Sequence, residues 1–202
     1  MFHQFYVAEQ YRNLLRFLWW KEGDPKKELV EYRMKVHLFG AASSPGCANF
    51  GLKRAADDGE QEFGKEAANF VRRDFYVDDG LKSVETSEEA ISLIRNSQAI
   101  CAKAGLKLHK IMSNKRDVLK EVAKEDRAEV ARNIDLKIDP LPTERVLGVS
   151  WCVENDSFNF KIEFSDRPCT RRGILSTVSS IYDPLGFAAP VVLKGKQILQ
   201  QL

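Results

Sequence analysis

The chain has 202 residues, of which 44% are hydrophobic and 30% are charged. This composition is typical of a folded globular protein with one domain, or one domain and an appendage, and it argues against a disordered chain. The 31 basic and 29 acidic residues nearly cancel. There is no overall basic field, so any contact with nucleic acid is expected to be local.

Neither a membrane segment nor a zinc-type ligand cluster is visible in the sequence. No apolar run approaches the roughly 20 residues of a spanning helix, and the first residues lack the charged start of a signal peptide. The cysteines and histidines are scattered, without the spacing of zinc ligands. We expect a cytoplasmic or nuclear protein that is not secreted and has no membrane partner.

The N-terminal part of the chain predicts two strands joined by a turn. Residues 2–7 have the pattern of a short strand, and residues 8–16 have helical character. The apolar run Phe17–Trp20 precedes a turn, and residues 31–38 alternate apolar and polar side chains as a half-buried strand does.

A long helical segment follows. Ser44 and Pro45 are a helix-start signal, because serine can cap a helix and proline at the first helical position loses no needed donor. Gly59 is predicted to interrupt the helix, which resumes over residues 65–73.

Short helices and strands are predicted for the rest of the chain. In order, they are a helix opened by Ser87-Glu88-Glu89 and stopped by Gly105, a strand over 106–111, a charged helix or helix pair over 114–133, a hairpin of 146–153 and 158–164, and helices over 171–181 and 191–202.

Asp78 and Asp79 are the candidate metal ligands. A short β-type run over 74–77 leads into them, Asp79-Gly80 is a hairpin-turn pair, and residues 81–84 are predicted to return as the partner strand. Such a hairpin places both carboxylates at its tip. Magnesium commonly uses one or two protein carboxylates, and ion pairs of this kind serve phosphoryl transfer. Taken alone the signal is weak, because Asp-Gly is favoured in turns for backbone reasons.

Further motifs surround this hairpin in a fixed order. They are Met1-Phe2-His3-Gln4, Phe17-Leu18-Trp19-Trp20, Phe39-Gly40-Ala41-Ala42-Ser43-Ser44-Pro45, Asp74-Phe75-Tyr76-Val77-Asp78-Asp79, Gly105-Leu106-Lys107-Leu108-His109-Lys110, Val146-Leu147-Gly148-Val149-Ser150-Trp151 and Gly173-Ile174-Leu175-Ser176-Thr177-Val178-Ser179-Ser180. In that order they resemble the reverse transcriptase of long-terminal-repeat retrotransposons, most of all the BEL/Pao group. The resemblance covers essentially the whole chain.

The resemblance implies roles for individual residues. Asp78 and Asp79 would be the paired ligands of two Mg²⁺ ions, with Mn²⁺ as an alternative, and Lys110 would protonate the leaving pyrophosphate. A solvated lysine is the other interpretation of Lys110.

The same resemblance implies a nucleotide site. Phe2 would block the 2′-hydroxyl of a ribonucleotide, Phe39 and Gly40 would lie under the incoming nucleotide and the template base, and Tyr76 would belong to the same site. Glycine permits close backbone approach there. A core aromatic is the alternative for Phe2, and an ordinary turn before a helix is the alternative for Phe39-Gly40.

A primer-binding hairpin is implied as well. Leu147, Gly148 and Trp151 resemble the primer grip that seats the primer's 3′ end, and a plain structural hairpin is the alternative. Arg171 and Arg172 would begin the thumb or connection and contact phosphates, or they would be a solvated charge pair.

The expected fold class is α+β, with a polymerase palm-like antiparallel sheet and packed helices, then a β-hairpin and a helical C-terminal segment. Residues 1–139 would be a partial palm, 140–165 the primer-grip-like hairpin, and 166–202 the start of the thumb or connection, a segment also linked to the Pao retrotransposon peptidase family. In the family the first metal-binding aspartate stands four residues before the methionine that matches Met1, and the fingers lie upstream. We therefore expect the chain alone to be inactive and to expose apolar surface.

Two functions remain open at this point. The first is a fragment of an RNA-directed DNA polymerase that performs two-metal nucleotidyl transfer. Its partners would be an RNA or DNA template with primer, deoxynucleoside triphosphates and the remainder of a retrotransposon polyprotein, in a cytoplasmic virus-like particle or in the nucleus. The second is a non-catalytic or domesticated palm-fold remnant that binds nucleic acid or a protein partner. An aspartic peptidase is disfavoured, since the chain has no Asp-Ser-Gly or Asp-Thr-Gly.

Overall fold

A computed structural model describes residues 2–160, 168–183 and 185–201. Helices are combined with small antiparallel sheets, which confirms the predicted α+β class. The chain forms two compact units, Met1–His109 and Lys110–Leu202. Within the described ranges, no helix is both long and apolar enough to cross a membrane.

A β-hairpin lies near the start of the first unit. Strand β1 (Arg16–Trp20) pairs antiparallel with β2 (Leu29–Arg33), which confirms the two predicted strands, although β2 ends at Arg33 instead of residue 38. A 3-10 helix over Glu9–Leu15 precedes them.

The strand predicted over residues 2–7 is wrong. Phe2–Gln4 is a 3-10 helix, and Tyr6 makes an isolated antiparallel bridge with Val36. In a 3-10 helix, positions three apart lie on the same side. The short turn can therefore direct both Phe2, which is buried, and Phe5, which packs on the hydrophobic core, to the inside.

Three helices follow in the first unit: α1 (Ser44–Phe63), α2 (Lys65–Arg73) and α3 (Ser87–Lys103). A short hairpin of β3 (Phe75–Tyr76) and β4 (Asp79–Gly80) lies between α2 and α3. Pro45 lies in the first turn of α1 as predicted. The predicted interruption at Gly59 is wrong, because α1 continues through this residue. Gly59 instead allows α3 to pack closely, since a Cβ there would lie 2.9 Å from Cγ1 of Ile100. The chain breaks instead at Gly64, whose φ is +94°.

The core of the first unit lies between these helices. Its buried residues are Leu52, Ala55, Ala56, Ala67, Ala68, Val71, Ile100, Cys101 and Leu106. Burying one large aliphatic side chain stabilises a fold by about 1.5–3 kcal/mol. Burial also raises the pKa of the Cys101 thiol to about 11, so this cysteine is an inert core residue.

The strand predicted over residues 106–111 is wrong. After Gly105, at φ +73°, side chains satisfy the backbone: Lys107 N–H donates to Oε1 of Gln4 at 2.6 Å, and Nε2 of Gln98 donates to Leu108 O at 3.2 Å. Ile111 makes an isolated parallel bridge with Arg127.

Short helices and a three-stranded sheet form the second unit. The charged segment contains α4 (Arg116–Glu121), a 3-10 turn (Lys124–Asp126) and α5 (Glu129–Arg132), which confirms its predicted helical character. An antiparallel sheet follows, in the order β5 (Thr143–Val146), β6 (Val149–Cys152) and β7 (Ser157–Asn159).

This sheet confirms the predicted hairpin and adds β5, which the sequence pattern did not predict. Residues 161–164 of the predicted second strand lie outside the described residues. The buried residues Leu119, Leu141, Trp151 and Val153 form the core of the second unit. Two helices predicted near the C-terminus are confirmed as α6 (Arg171–Ser179) and α7 (Ala189–Gln201).

Candidate functional site

The candidate metal ligands lie on a very short hairpin. Strand β3 (Phe75–Tyr76) pairs antiparallel with β4 (Asp79–Gly80), with Tyr76 opposite Asp79, so the turn is Val77-Asp78. The prediction that Asp79-Gly80 is the turn is wrong by two residues, and residues 81–84 are not a strand. Both aspartates are exposed. Asp78 lies in the turn itself, and Asp79 begins the returning strand.

The backbone at the tip is strained. Val77 has a φ of +60°, in a region that β-branched residues rarely occupy. It is the first of the two turn residues, and the second, Asp78, does not have a positive φ. This is the pattern of a type II′ turn, which favours glycine at that position. Strained residues of this kind cluster at functional sites.

The two carboxylates fit part of a magnesium site. Carboxylate oxygens are the donors that Mg²⁺ prefers, and one or two are common when phosphates and water complete the octahedron. In the part of the chain that the structure describes, no group of three or more His, Cys, Asp or Glu side chains is arranged to hold a metal. The third carboxylate implied by the resemblance is not supplied by the described residues.

Two phenylalanines fix the hairpin to the core of the first unit. The rings of Phe70 and Phe75 meet edge to face with their centroids 5.2 Å apart, within the roughly 4.5–7 Å that such pairs prefer. A Cβ on Gly80 would lie 2.7 Å from Phe75 and 3.0 Å from Phe70, so a larger residue here would force these rings to shift. The Asp-Gly pair therefore contributes through packing at Gly80 and not through turn formation.

Sequence reasoning missed an ion pair at the open end of this hairpin. Nζ of Lys82 lies 2.8 Å from Oδ2 of Asp74, and Leu81 N–H donates to Asp74 O at 3.2 Å. The signal was present: opposite charges stand just before one strand and just after the other.

Phe2 and Phe39, two predicted nucleotide-site residues, are brought together. Their ring centroids are 5.0 Å apart, and His3 also lies against Phe39, at 5.1 Å. Phe2 is buried, whereas Phe39 is 66% exposed. Gly40 has a φ of +85° with open space where a Cβ would stand, so its glycine is required by the backbone conformation.

The remaining predicted residues of the catalytic and nucleotide sites, Tyr76 and Lys110, belong to different units. Tyr76 lies on β3 and its side chain is 71% exposed. Lys110 begins the second unit and has a φ of +62°.

The predicted primer-grip residues divide into two kinds. Leu147 and Gly148, with φ values of +53° and +81°, form the tight turn between β5 and β6. Trp151 is buried in the core of the second unit, and its Nε1 donates to Oδ1 of Asp156 at 3.0 Å. The Trp151 side chain is therefore structural here. In the turn, Leu147 is half-buried, and the Tyr182 ring packs where a Cβ of Gly148 would stand.

The tail of the chain matches a known family. Residues 170–202 match the family model described as Pao retrotransposon-like RNaseH-like domain. This match supports a fragment of a Pao retrotransposon polyprotein. The description names an RNaseH-like domain, not a polymerase or a peptidase. No significant match was found among curated proteins or among solved structures.

The segment matched to the Pao retrotransposon family has little capacity for metal chemistry of its own. It contains one acidic residue, Asp183, against four basic ones. The Asp183 carboxylate accepts the N–H groups of Phe187 at 3.0 Å and Ala188 at 2.8 Å, just before α7. Its role is to hold the turn between α6 and α7. A two-metal nuclease needs several carboxylates, and this segment does not contain them.

Proposed function

We propose that the chain is a fragment of a retrotransposon RNA-directed DNA polymerase, to which it contributes two of the metal-binding carboxylates. The observation that carries the proposal is the exposed Asp78-Asp79 pair at a strained hairpin tip, packed onto a helical core by Phe70 and Phe75. The match of residues 170–202 to a Pao retrotransposon model supports the same origin.

The chain's own residues would present and orient the metal ligands. Bound Mg²⁺ would activate the attacking hydroxyl and stabilise the leaving oxygen. Asp78 and Asp79 would hold the ions, and Phe2 packed on Phe39 would give a rigid aromatic wall against the sugar of an incoming nucleotide.

Polymerisation tests this proposal. We would lengthen the chain with a fingers segment and an aspartate four residues before Met1, and measure Mg²⁺-dependent primer extension on an RNA template. Asp78→Asn should lower the rate about 10³-fold or more, the scale expected when a metal's stabilisation of the transition state is lost. Extension that Asp78→Asn leaves unaffected would rule out the metal assignment.

The chain offers a matched control for this substitution. Asp57 and Asp58 are also adjacent aspartates, but they lie on α1, and Asp58 pairs with Arg54 at 3.0 Å. Asp58→Asn removes the same charge from the same unit and should leave extension unchanged.

Mn²⁺ binding tests the site in the chain as it stands. Mn²⁺ is expected to broaden the NMR signals of the Asp78 and Asp79 amides weakly, and more strongly when a deoxynucleoside triphosphate is added. The broadening should disappear in Asp78→Asn and remain in Asp58→Asn. Broadening that spares the hairpin would contradict the site.

The second function, a palm-fold remnant that binds nucleic acid without catalysis, is favoured by one observation. The segment over 170–202 carries four basic residues and one acidic residue. This function predicts salt-dependent binding of a primer–template that needs no divalent ion and is unaffected by Asp78→Asn.

A further inference from the structure

The hairpin that carries Asp78 and Asp79 has little structure of its own. It consists of two paired positions, Phe75 with Gly80 and Tyr76 with Asp79. An isolated two-stranded hairpin is marginally stable in water. Here the turn also holds Val77 at a φ of +60°, so strain at the tip favours opening of the pairs beneath it.

The open end has the contacts that oppose this strain. Leu81 N–H extends the pairing by donating to Asp74 O at 3.2 Å, and Lys82 Nζ lies 2.8 Å from Oδ2 of Asp74. The Asp74 side chain is 27% exposed and that of Lys82 is 44% exposed. Phe70 and Phe75 hold Gly80 through apolar contact, and such contact alone leaves the chain after Gly80 free to separate from Asp74.

We propose that Lys82, through its ion pair with Asp74, is a positioning residue for the Asp78-Asp79 carboxylates and sets the affinity of this hairpin for a divalent cation. The proposal rests on the proposed function, because it takes these aspartates as metal ligands. The ion pair closes the open end of the hairpin, and the two strands then keep Asp79 in register with Tyr76.

Simple electrostatics and positioning predict opposite results when the Lys82 charge is removed. Lys82→Met takes a positive charge away from the neighbourhood of a cation site, which by Coulomb attraction alone would tighten Mn²⁺ binding. If Lys82 positions the hairpin, the same substitution frees the strands and weakens binding. The direction in which the Mn²⁺ dissociation constant changes therefore distinguishes positioning by Lys82 from simple charge repulsion.

The experiment is a Mn²⁺ titration of the ¹⁵N-labelled full chain, read from relaxation at the hairpin amides. Lys82→Met should raise the Mn²⁺ dissociation constant about threefold, since exposed ion pairs of good geometry contribute at most about fivefold in an equilibrium constant. Lys82→Arg, which keeps the ion pair, should restore the original affinity. Hydrogen exchange of the Leu81 amide should accelerate in Lys82→Met and return in Lys82→Arg.

Lys103→Met is the matched control, because Lys103 pairs with Glu62 at 2.6 Å between α3 and α1. It should change neither the Mn²⁺ dissociation constant nor Leu81 exchange. Unchanged or tighter Mn²⁺ binding in Lys82→Met would overturn the inference alone. Absence of Mn²⁺ from the hairpin of the unaltered chain would overturn the proposed metal site, and the inference with it.

Discussion

Val77 holds a backbone conformation that its β-branched side chain disfavours. Its φ of +60° is a conformation that costs an L-residue with a branched side chain about 1–2 kcal/mol. The sequence pattern could not reveal this, because Asp79-Gly80 is the better turn pair by local preference. Packing decided otherwise: Gly80 is needed under Phe75 and Phe70, which shifts the turn back to Val77-Asp78.

Glycine at position 77 should therefore be tolerated. We expect Val77→Gly to leave the free energy of unfolding unchanged or to raise it by up to about 1 kcal/mol, as relief of strain offsets the greater freedom of glycine in the unfolded chain. Urea unfolding measures this. Val30→Gly, at a half-buried site in β2 where φ is not positive, should instead cost about 1 kcal/mol, and an equal loss in Val77→Gly would contradict the strain.

At the scale of elements, sequence signals predicted helices better than strands. Thr86 and Glu89 form a reciprocal capping box at the start of α3, and such local signals are visible in any sequence. Gly59 shows the limit, since its role depends on Ile100, far along the chain. The antiparallel sheet that carries Asp78 and Asp79 consists of two strands, β3 and β4, and is separate from the sheet of β1 and β2. Strand pairing depends on distant partners that periodicity does not specify.

Arg116 connects the elements of the second unit. Its Nη1 donates to Leu136 O at 3.1 Å and Asp139 O at 2.7 Å, and its Nη2 donates to Oε2 of Glu154 at 2.9 Å. The same Glu154 oxygen accepts Leu141 N–H at 2.6 Å. One guanidinium thus joins α4 to the segment before β5 and to the turn after β6.

Removing Arg116 should destabilise this unit. Hydrogen bonds to charged groups contribute about 1.5–3 kcal/mol, and partial exposure places the expected loss in Arg116→Met at about 2 kcal/mol, measured by urea unfolding. Lys120→Met, on the same helix, removes an exposed ion pair with Asp117, which lies 2.8 Å away within the helix, and should show no measurable change. Equal stability of the two variants would contradict the role of Arg116.

At the scale of the whole chain, large apolar side chains are exposed in both described units. Leu18 is 64% exposed, Trp19 50% and Leu29 59%, all on the β1–β2 hairpin, and Val191 and Leu193 on α7 are 65% and 56% exposed. Contiguous apolar patches and open strand edges favour association between molecules. The β1–β2 hairpin and α7 are therefore the candidate surfaces for such association.

Self-association of the chain should depend on the β1–β2 hairpin. Leu18 lies directly opposite Glu31 in the strand register, so Leu18→Lys removes an exposed apolar group and places a cation across from a carboxylate, a favourable cross-strand pair. We expect the substitution to lower concentration-dependent association, measured by light scattering, without reducing the free energy of unfolding. Ile138→Lys, at a side chain that is 81% exposed and lies outside this hairpin, adds the same charge and should leave association unchanged. If both substitutions lower association equally, net charge and not this hairpin controls it.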